Sequence, residues 1–375
     1  MTNFFLKSIS LIFLLVELIL CDINLNHRYN PSSRSSYSTI KGVIGVMVEF
    51  QKENEDDPLT SGDGTFLQEL DLGYIEHDEI LRCTPEGDNK SFIVDPPPHN
   101  HQYFLDQLEA VKNYYENISN ISFETKVIDQ IFQLSKPMRE YAYSDEDITR
   151  LYVEAIELAE DEILDNIEVG WNSGEFLIVV FHAGLEQSVA TNFFDPTIYD
   201  IHSAYIEQDM LNSIGLSEIL IGDGNLEFSI IDGILMPETL NMIYYDVIED
   251  IFPVFLLEPE DLENHYCDVQ AGITGLFSYW LGYRLGFDVM HNTENIQPIT
   301  RIGTFALMDQ GGYNNGRGVI PAAPVAWSRI KHPEITTDLE DLTNQLFSQN
   351  LEKSIPIKST TEDVIYKISI TEHEY

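Results

Sequence analysis

Residues 43–50 read VIGVMVEF, and residues 174–184 read GEFLIVVFHAG. Both runs are rich in β-branched residues and nearly all apolar. Such runs predict strands buried on both faces, because a half-exposed strand would alternate apolar with polar residues. A chain with strands of this kind must cover both sides of its sheet with other layers. Helical patterns do alternate with the strands. Phe104, Leu105, Leu108, Val111, Tyr114 and Tyr115 form one apolar stripe after a Pro-rich entry at residues 95–98. Residues 145–167 read as one acidic amphipathic helix, with Ser144 or Asp145 as its N-cap. ISFETKVID (121–129) reads as a strand, and EFSIIDGILMPET (227–239) as a strand pair or a strand and its exit. A short helix is expected at 338–349 and an alternating strand at DVIYKISI (363–370). No internal repeat is visible. The fold class predicted is α+β, a mixed twisted sheet with helices.

Charge excludes one class of partner at once. The chain of 375 residues holds 63 acidic and 20 basic residues, a formal net charge of −43. Nucleic-acid binding needs a basic patch, so nucleic acid is excluded as an expected partner. With 43% hydrophobic residues the chain can bury a real core. The acidic loop ENEDDPLTSGDGTF (53–66) raises calcium, but its acids do not follow EF-hand spacing, and turn chemistry accounts for them.

Residues 1–21 read as a targeting segment. Lys7 precedes an apolar stretch, 9–20, interrupted by Ser10 and Glu17, which suits a signal h-region better than a membrane span. Cys21 follows directly and makes a lipid anchor the alternative to free secretion. Leu20 departs from the small residue usual before a lipoprotein Cys. The expected localisation is therefore export: secreted, periplasmic or at the cell surface. Residues 22–40 form a Ser-rich linker, 41–330 the main domain, and 331–375 a C-terminal extension that stops within a strand pattern, as a truncated chain would. Only Cys83 and Cys267 remain beyond the leader, enough for at most one disulfide and too few for a Cys-based zinc site.

The segment SYWLGYRLGFDVMHNT (278–293) raises the functional question. From Ala271 to Leu285 only Arg284 is charged. Gly272, Gly275, Tyr279, Gly282, Tyr283 and Gly286 share one helical face, so something packs close against that stripe. On its own the segment is a buried core helix.

Its neighbours add a second reading. In order along the chain come MVEFQ (47–51), DPPPHNHQYFLDQL (95–108), LSKPM (134–138), VVFHAG (179–184), MPET (236–239), GTFALMDQGGYN (303–314) and PAAPVAWSRI (321–330). This succession resembles the immune inhibitor A family of secreted zinc metallopeptidases, over roughly residues 42–330. The resemblance implies a zincin fold. It also implies a helix carrying H-E-x-x-H-x-x-G-x-x-D, whose two His and final Asp hold zinc while the Glu acts as general base. Leu285, Gly286 and Thr293 fix the register on this chain. The two His positions become Tyr279 and Tyr283, the Glu position becomes Trp280, and the third-ligand position becomes Val289. Met308 takes the place of the Met turn beneath the metal.

These replacements remove the chemistry. A phenol ionises near pH 10 and is a poor zinc ligand while protonated. Trp280 offers only an N–H donor and cannot take a proton from water. Val289 offers no ligand. The resemblance thus implies a degenerate site with no catalytic residue intact, no resident metal and no other cofactor, and a protein that acts by binding a peptide or protein ligand. One alternative is an active endopeptidase with zinc on a rebuilt set drawn from His182, His202, Asp288 and His291. The other is a structural or adhesive surface protein that meets the membrane only through a lipid on Cys21. His182 alone reads as a hydrogen-bonded core residue, and His99 with His101 as a solvent-facing pair beside the prolines. There is no G-x-S-x-G elbow, Walker loop or dinucleotide fingerprint.

Overall fold

The computed structural model describes residues 40–52, 59–69, 94–119, 121–187, 197–224, 226–241, 271–290, 302–314, 318–331, 338–341 and 364–367. The leader, Cys21, Cys83, Cys267 and the acidic stretch leading to Asn264 lie outside them. Among the described residues no helix is long and apolar enough to cross a membrane.

The two apolar runs become neighbouring strands, β1 (Gly42–Glu49) and β3 (Phe176–Leu185). They pair in parallel, and every residue of β3 is buried. Strand β2 (Glu124–Gln133) flanks β1 in parallel, and β7 (Gly233–Thr239) flanks β3 in parallel. The short strand β4 (Ala204–Ile206) closes the other edge, antiparallel to β7. The sheet order is β2-β1-β3-β7-β4. It is a mixed sheet covered by helices, compatible with the α+β class expected.

Parallel neighbours need crossovers, and helices supply them. Helix α1 (His101–Ile118) links β1 to β2, capped by the Asn100 side chain, which accepts from the Gln102 and Tyr103 amides. Its stripe lies on the sheet, where the Phe104 and Phe181 rings are 4.6 Å apart. Helices α2 (Asp145–Leu158) and α3 (Glu160–Asn166) cover the opposite face, where the Tyr152 hydroxyl donates to the Ile178 carbonyl at 3.2 Å. The single helix expected over 145–167 is broken at Ala159, whose φ of −102° and ψ of 10° end α2. The Ala159 amide bonds back to both Ala155 and Ile156 carbonyls, the tightened last turn of a helix end. Ser144 is the N-cap, accepting from the Asp147 amide.

The segment 227–239, expected to be a strand pair or a strand and its exit, holds two strands that do not pair with each other. Strand β6 (Leu226–Ile230) pairs with β5 (Ile219–Asp223) in a separate hairpin, while β7 joins the main sheet. A short helix α4 (Gln208–Ser213) precedes the hairpin. Ile40, the last residue of the expected linker, is 1% exposed and packs in the core.

Helix α5 (Ile273–Arg284) lies on the α1 side of the sheet, with Phe277 set edge-on to Phe181 at 6.0 Å. All of its residues are buried, so it has no solvent face. Helix α6 (Ala326–Lys331) follows the turn region. Beyond it, residues 338–341 are a strand rather than the expected start of a helix. This strand, β8 (Asp338–Asp341), pairs in parallel with β9 (Val364–Lys367), so a non-local ladder overrides the local pattern.

Candidate functional site

Helix α5 is anchored at both ends by identifiable chemistry. At its start, Asp95 reaches in from the Pro-rich loop, and its Oδ2 accepts the Ile273 amide at 2.9 Å. A carboxylate suits the positive end of a helix. Gln107 of α1 donates to Asp95 Oδ1 at 3.1 Å and accepts from the Thr274 hydroxyl at 2.7 Å. Burial pushes the Asp95 carboxyl above the usual range. At its end, Gly286 adopts φ of +97°, which favours glycine. The Phe287 amide then bonds the Gly282 carbonyl and the Gly286 amide bonds Tyr283, a Schellman closure.

The glycine stripe has its close neighbour. A Cβ on Gly275 would lie 1.7 Å from the Gly312 carbonyl oxygen, so the loop after Met308 lies directly against the helix. Met308 is buried, with its sulfur 3.0 Å from where a Gly282 Cβ would be. The Met290 amide donates to the Met308 carbonyl at 2.8 Å, tying the turn to the residue after Val289.

Tyr279, Trp280 and Tyr283 are 4%, 3% and 7% exposed. Their rings form a packed cluster: Tyr279–Trp280 at 5.1 Å and 80°, Trp280–Tyr283 at 6.2 Å and 74°. Tyr205 of edge strand β4 adds a fourth ring, 5.0 Å from Tyr283. The Trp280 indole N–H donates to the Ser203 hydroxyl at 2.9 Å, and the Ser203 amide donates to buried Glu186 at 2.7 Å. The Tyr205 hydroxyl donates to Asp232 at 2.5 Å, and Arg284 approaches the same carboxylate oxygen at 2.8 Å. Burial, with the Asp232 charge beside it, pushes the Tyr205 phenol well above its ordinary value. Val289 follows the helix, half-buried against the core.

These residues do not fit a zinc ion. Three positions are filled by rings packed edge to face. The one polar proton of Trp280 is committed to Ser203, and Val289 has no donor atom. The rebuilt set fares differently residue by residue. His182 lies in β3 beside Phe181; successive strand residues face opposite sides, so it points away from α5. Its Nδ1–H donates to the Ala183 carbonyl at 2.8 Å, Phe50 lies edge-on at 5.9 Å, and burial lowers its pKa to about 4. His202 precedes β4 and Asp288 follows α5, both half-buried, and His291 lies outside the described residues. Among the described residues no group of three or more His, Cys, Asp or Glu side chains is placed to hold a metal ion.

The His99 expectation is corrected. His99 is fully buried rather than solvent-facing. Its Nδ1 lies 2.6 Å from Glu238 Oε1 and its Nε2 lies 3.0 Å from the Asp95 carbonyl. That carbonyl only accepts, so Nε2 carries a proton. Glu238, on β7, is fully buried and also accepts the Leu67 and Gly184 amides at 2.6 and 2.9 Å. It is a hub that sequence reading passed over. Its signal was a carboxylate inside the otherwise uncharged run GILMPET. His101 bonds the Val127 carbonyl through Nε2 at 3.0 Å.

In comparisons with known proteins, no family model and no curated protein matches the chain.

Proposed function

We propose that this chain is a degenerate, exported relative of the immune inhibitor A metallopeptidases, with a zincin-like domain that has lost zinc-dependent proteolysis and acts by binding a peptide or protein. The observation that carries this reading is the aromatic cluster itself. Tyr279, Trp280 and Tyr283 stand in the three helix positions the resemblance reserves for ligands and base, and each is buried in ring contacts. A cluster with a satisfied indole N–H and a Tyr205–Asp232–Arg284 group beside it is a packing solution.

The surrounding frame supports the family part of the reading. The sheet is mixed, with its antiparallel strand at the edge nearest the cluster. Gly286 makes the left-handed turn that follows the helix, and Met308 lies under it. Because the cluster is buried, a ligand would meet the outer surface of the domain and not these three side chains.

Two measurements on the purified chain test the proposal. Metal analysis by mass spectrometry is expected to find well under one equivalent of zinc, and casein is expected to stay intact with or without EDTA. One equivalent of zinc together with EDTA-sensitive cleavage would overturn the reading.

A further inference from the structure

Behind α5, on the side away from the aromatic cluster, the described residues line an open cavity of about 550 Å³. Thr274 lines it, and Thr274 lies five residues before Tyr279, about 140° around the helix. The cavity is therefore separate from the positions discussed above. Its volume falls within the about 300–1,000 Å³ typical of small-molecule sites.

Its chemistry is narrow. None of the residues lining it carries a charge, in a chain whose formal net charge is −43. Ala110 and Ile118 of α1, with Val319, Pro321 and Ala323, supply apolar lining. Tyr114 fixes the two walls together, its hydroxyl donating to the Ala322 carbonyl at 2.6 Å. Two carboxamides supply polarity of one kind. Asn117 Nδ2 donates to the Asn113 carbonyl at 2.7 Å, and Asn314 Nδ2 to the Thr304 carbonyl at 2.8 Å. With the amide nitrogens so oriented, each Oδ1 remains as an acceptor. The hydroxyl of Thr274 is already given to Gln107.

The rim carries two exposed apolar side chains. Phe305 is 83% exposed and Ile320 is 59% exposed, both at the cavity. Phe305 sits on a 3₁₀ turn (Gly303–Phe305) held from below by buried Asp309, whose Oδ2 accepts the Ile302 and Gly303 amides at 2.9 Å each. A tethered turn that presents a large apolar ring to water, next to a second exposed apolar side chain, marks a binding surface.

We infer that this cavity is a binding site for an uncharged, largely apolar small molecule that carries an N–H or O–H donor. The apolar walls take its body, the Asn117 and Asn314 oxygens take its donor, and Phe305 covers its outer edge. An anion is disfavoured twice, by the absence of any lining cation and by the acidic field of the whole chain. The inference is independent of the zinc question, since no residue of the aromatic cluster lines the cavity.

A matched pair of dyes tests it. N-phenyl-1-naphthylamine is neutral with one N–H; 1-anilinonaphthalene-8-sulfonate has the same skeleton plus a negative charge. Titration of the full chain is expected to brighten the neutral dye saturably, with the sulfonate binding at least tenfold more weakly. Ala110→Phe, which fills the cavity, should weaken the neutral dye at least tenfold. Asn117→Leu should weaken it about threefold, and Leu220→Ala, on the distant hairpin at a residue 53% exposed, should leave it unchanged. If circular dichroism shows that Ala110→Phe does not fold, Asn113→Trp at an exposed helix position blocks the same mouth. Unchanged affinity in the folded blocking variant overturns the site, and equal affinity for the sulfonate overturns the ligand class.

Discussion

At the scale of single residues, Trp280 carries the argument. Under the proposed function it stands where a general base would be, and its only polar atom holds the edge of the sheet through Ser203. Trp280→Phe leaves that hydroxyl without its donor and is expected to destabilise the fold by about 1–2 kcal/mol in urea titration. Trp280→Glu places a carboxylate in the same buried space and is expected to cost about 3–5 kcal/mol. Equal stability of the two variants would mean that the position is more open to water than its 3% exposure indicates. His182 makes a second prediction, through pH. Burial lowers its pKa to about 4 from 6.5, so the unfolded chain binds its proton more readily. Stability from this residue is full above about pH 6.5 and is lost as pH falls toward 4, by up to about 3 kcal/mol. Asp95 and Glu49, raised by burial, act in the opposite sense, so the wild type alone does not isolate the effect. The difference between wild type and His182→Leu does. It should shift toward the variant between pH 6.5 and 4, and a flat difference would refute the assignment. The burial of Tyr279, Trp280 and Tyr283 was legible in the sequence, because the helix that carries them is almost free of charge from Ala271 to Leu285. The Ser203, Glu186, Tyr205 and Asp232 partners were not, because they come from segments about 50–95 residues upstream that only the sheet brings together.

At the scale of elements, the apolar runs at β1 and β3 were legible because continuous burial leaves a continuous pattern. The break at Ala159 was not, since both halves keep the same acidic amphipathic spacing and only the turn geometry separates them. The start of the C-terminal segment was misread for a related reason: its partner strand lies more than twenty residues away. For α5, the glycine stripe implied a close neighbour, and the structure identifies it as the Gly312 backbone. A helix glycine usually gains up to about 1 kcal/mol on replacement by alanine. Gly275→Ala is expected to reverse that sign and lose about 1–3 kcal/mol, because a carbonyl oxygen 1.7 Å from the new Cβ belongs to backbone and cannot rotate away. Gly282→Ala meets the Tyr115 hydroxyl at 2.8 Å and the Met308 sulfur at 3.0 Å, both side-chain atoms, so its loss should be smaller. Denaturation midpoints at unchanged m-value would rank the two, and the opposite order would show that the loop after Met308 is free to move.

For the whole molecule, charge is the dominant unbalanced quantity. There are 63 acidic groups against 20 basic ones, so most carboxylates cannot each have a cation of their own. Among the described residues several cross-element ion pairs are at least partly exposed, such as Lys41–Glu175 at 2.8 Å and Lys126–Glu168 at 2.5 Å. Exposed pairs of this kind contribute about 0–1 kcal/mol each, and salt weakens them. Salt also weakens the far more numerous repulsions, over a screening length that shrinks from about 10 Å at 0.1 M to about 3 Å at 1 M. The repulsive sum is larger, so the melting temperature is expected to rise steadily with sodium chloride from 0.05 to 1 M. A falling melting temperature would mean that the ion pairs outweigh the net charge. Calcium chloride at matched ionic strength separates screening from binding. Screening alone makes the two salts nearly equal at high concentration, whereas a specific site gives calcium a saturable excess already at millimolar levels. The acids at 53–66 lack EF-hand spacing, and no three-acid cluster is placed for a metal among the described residues. The expected result is therefore two nearly coincident curves, and a saturable calcium step in the melting temperature would place an ion site on this chain.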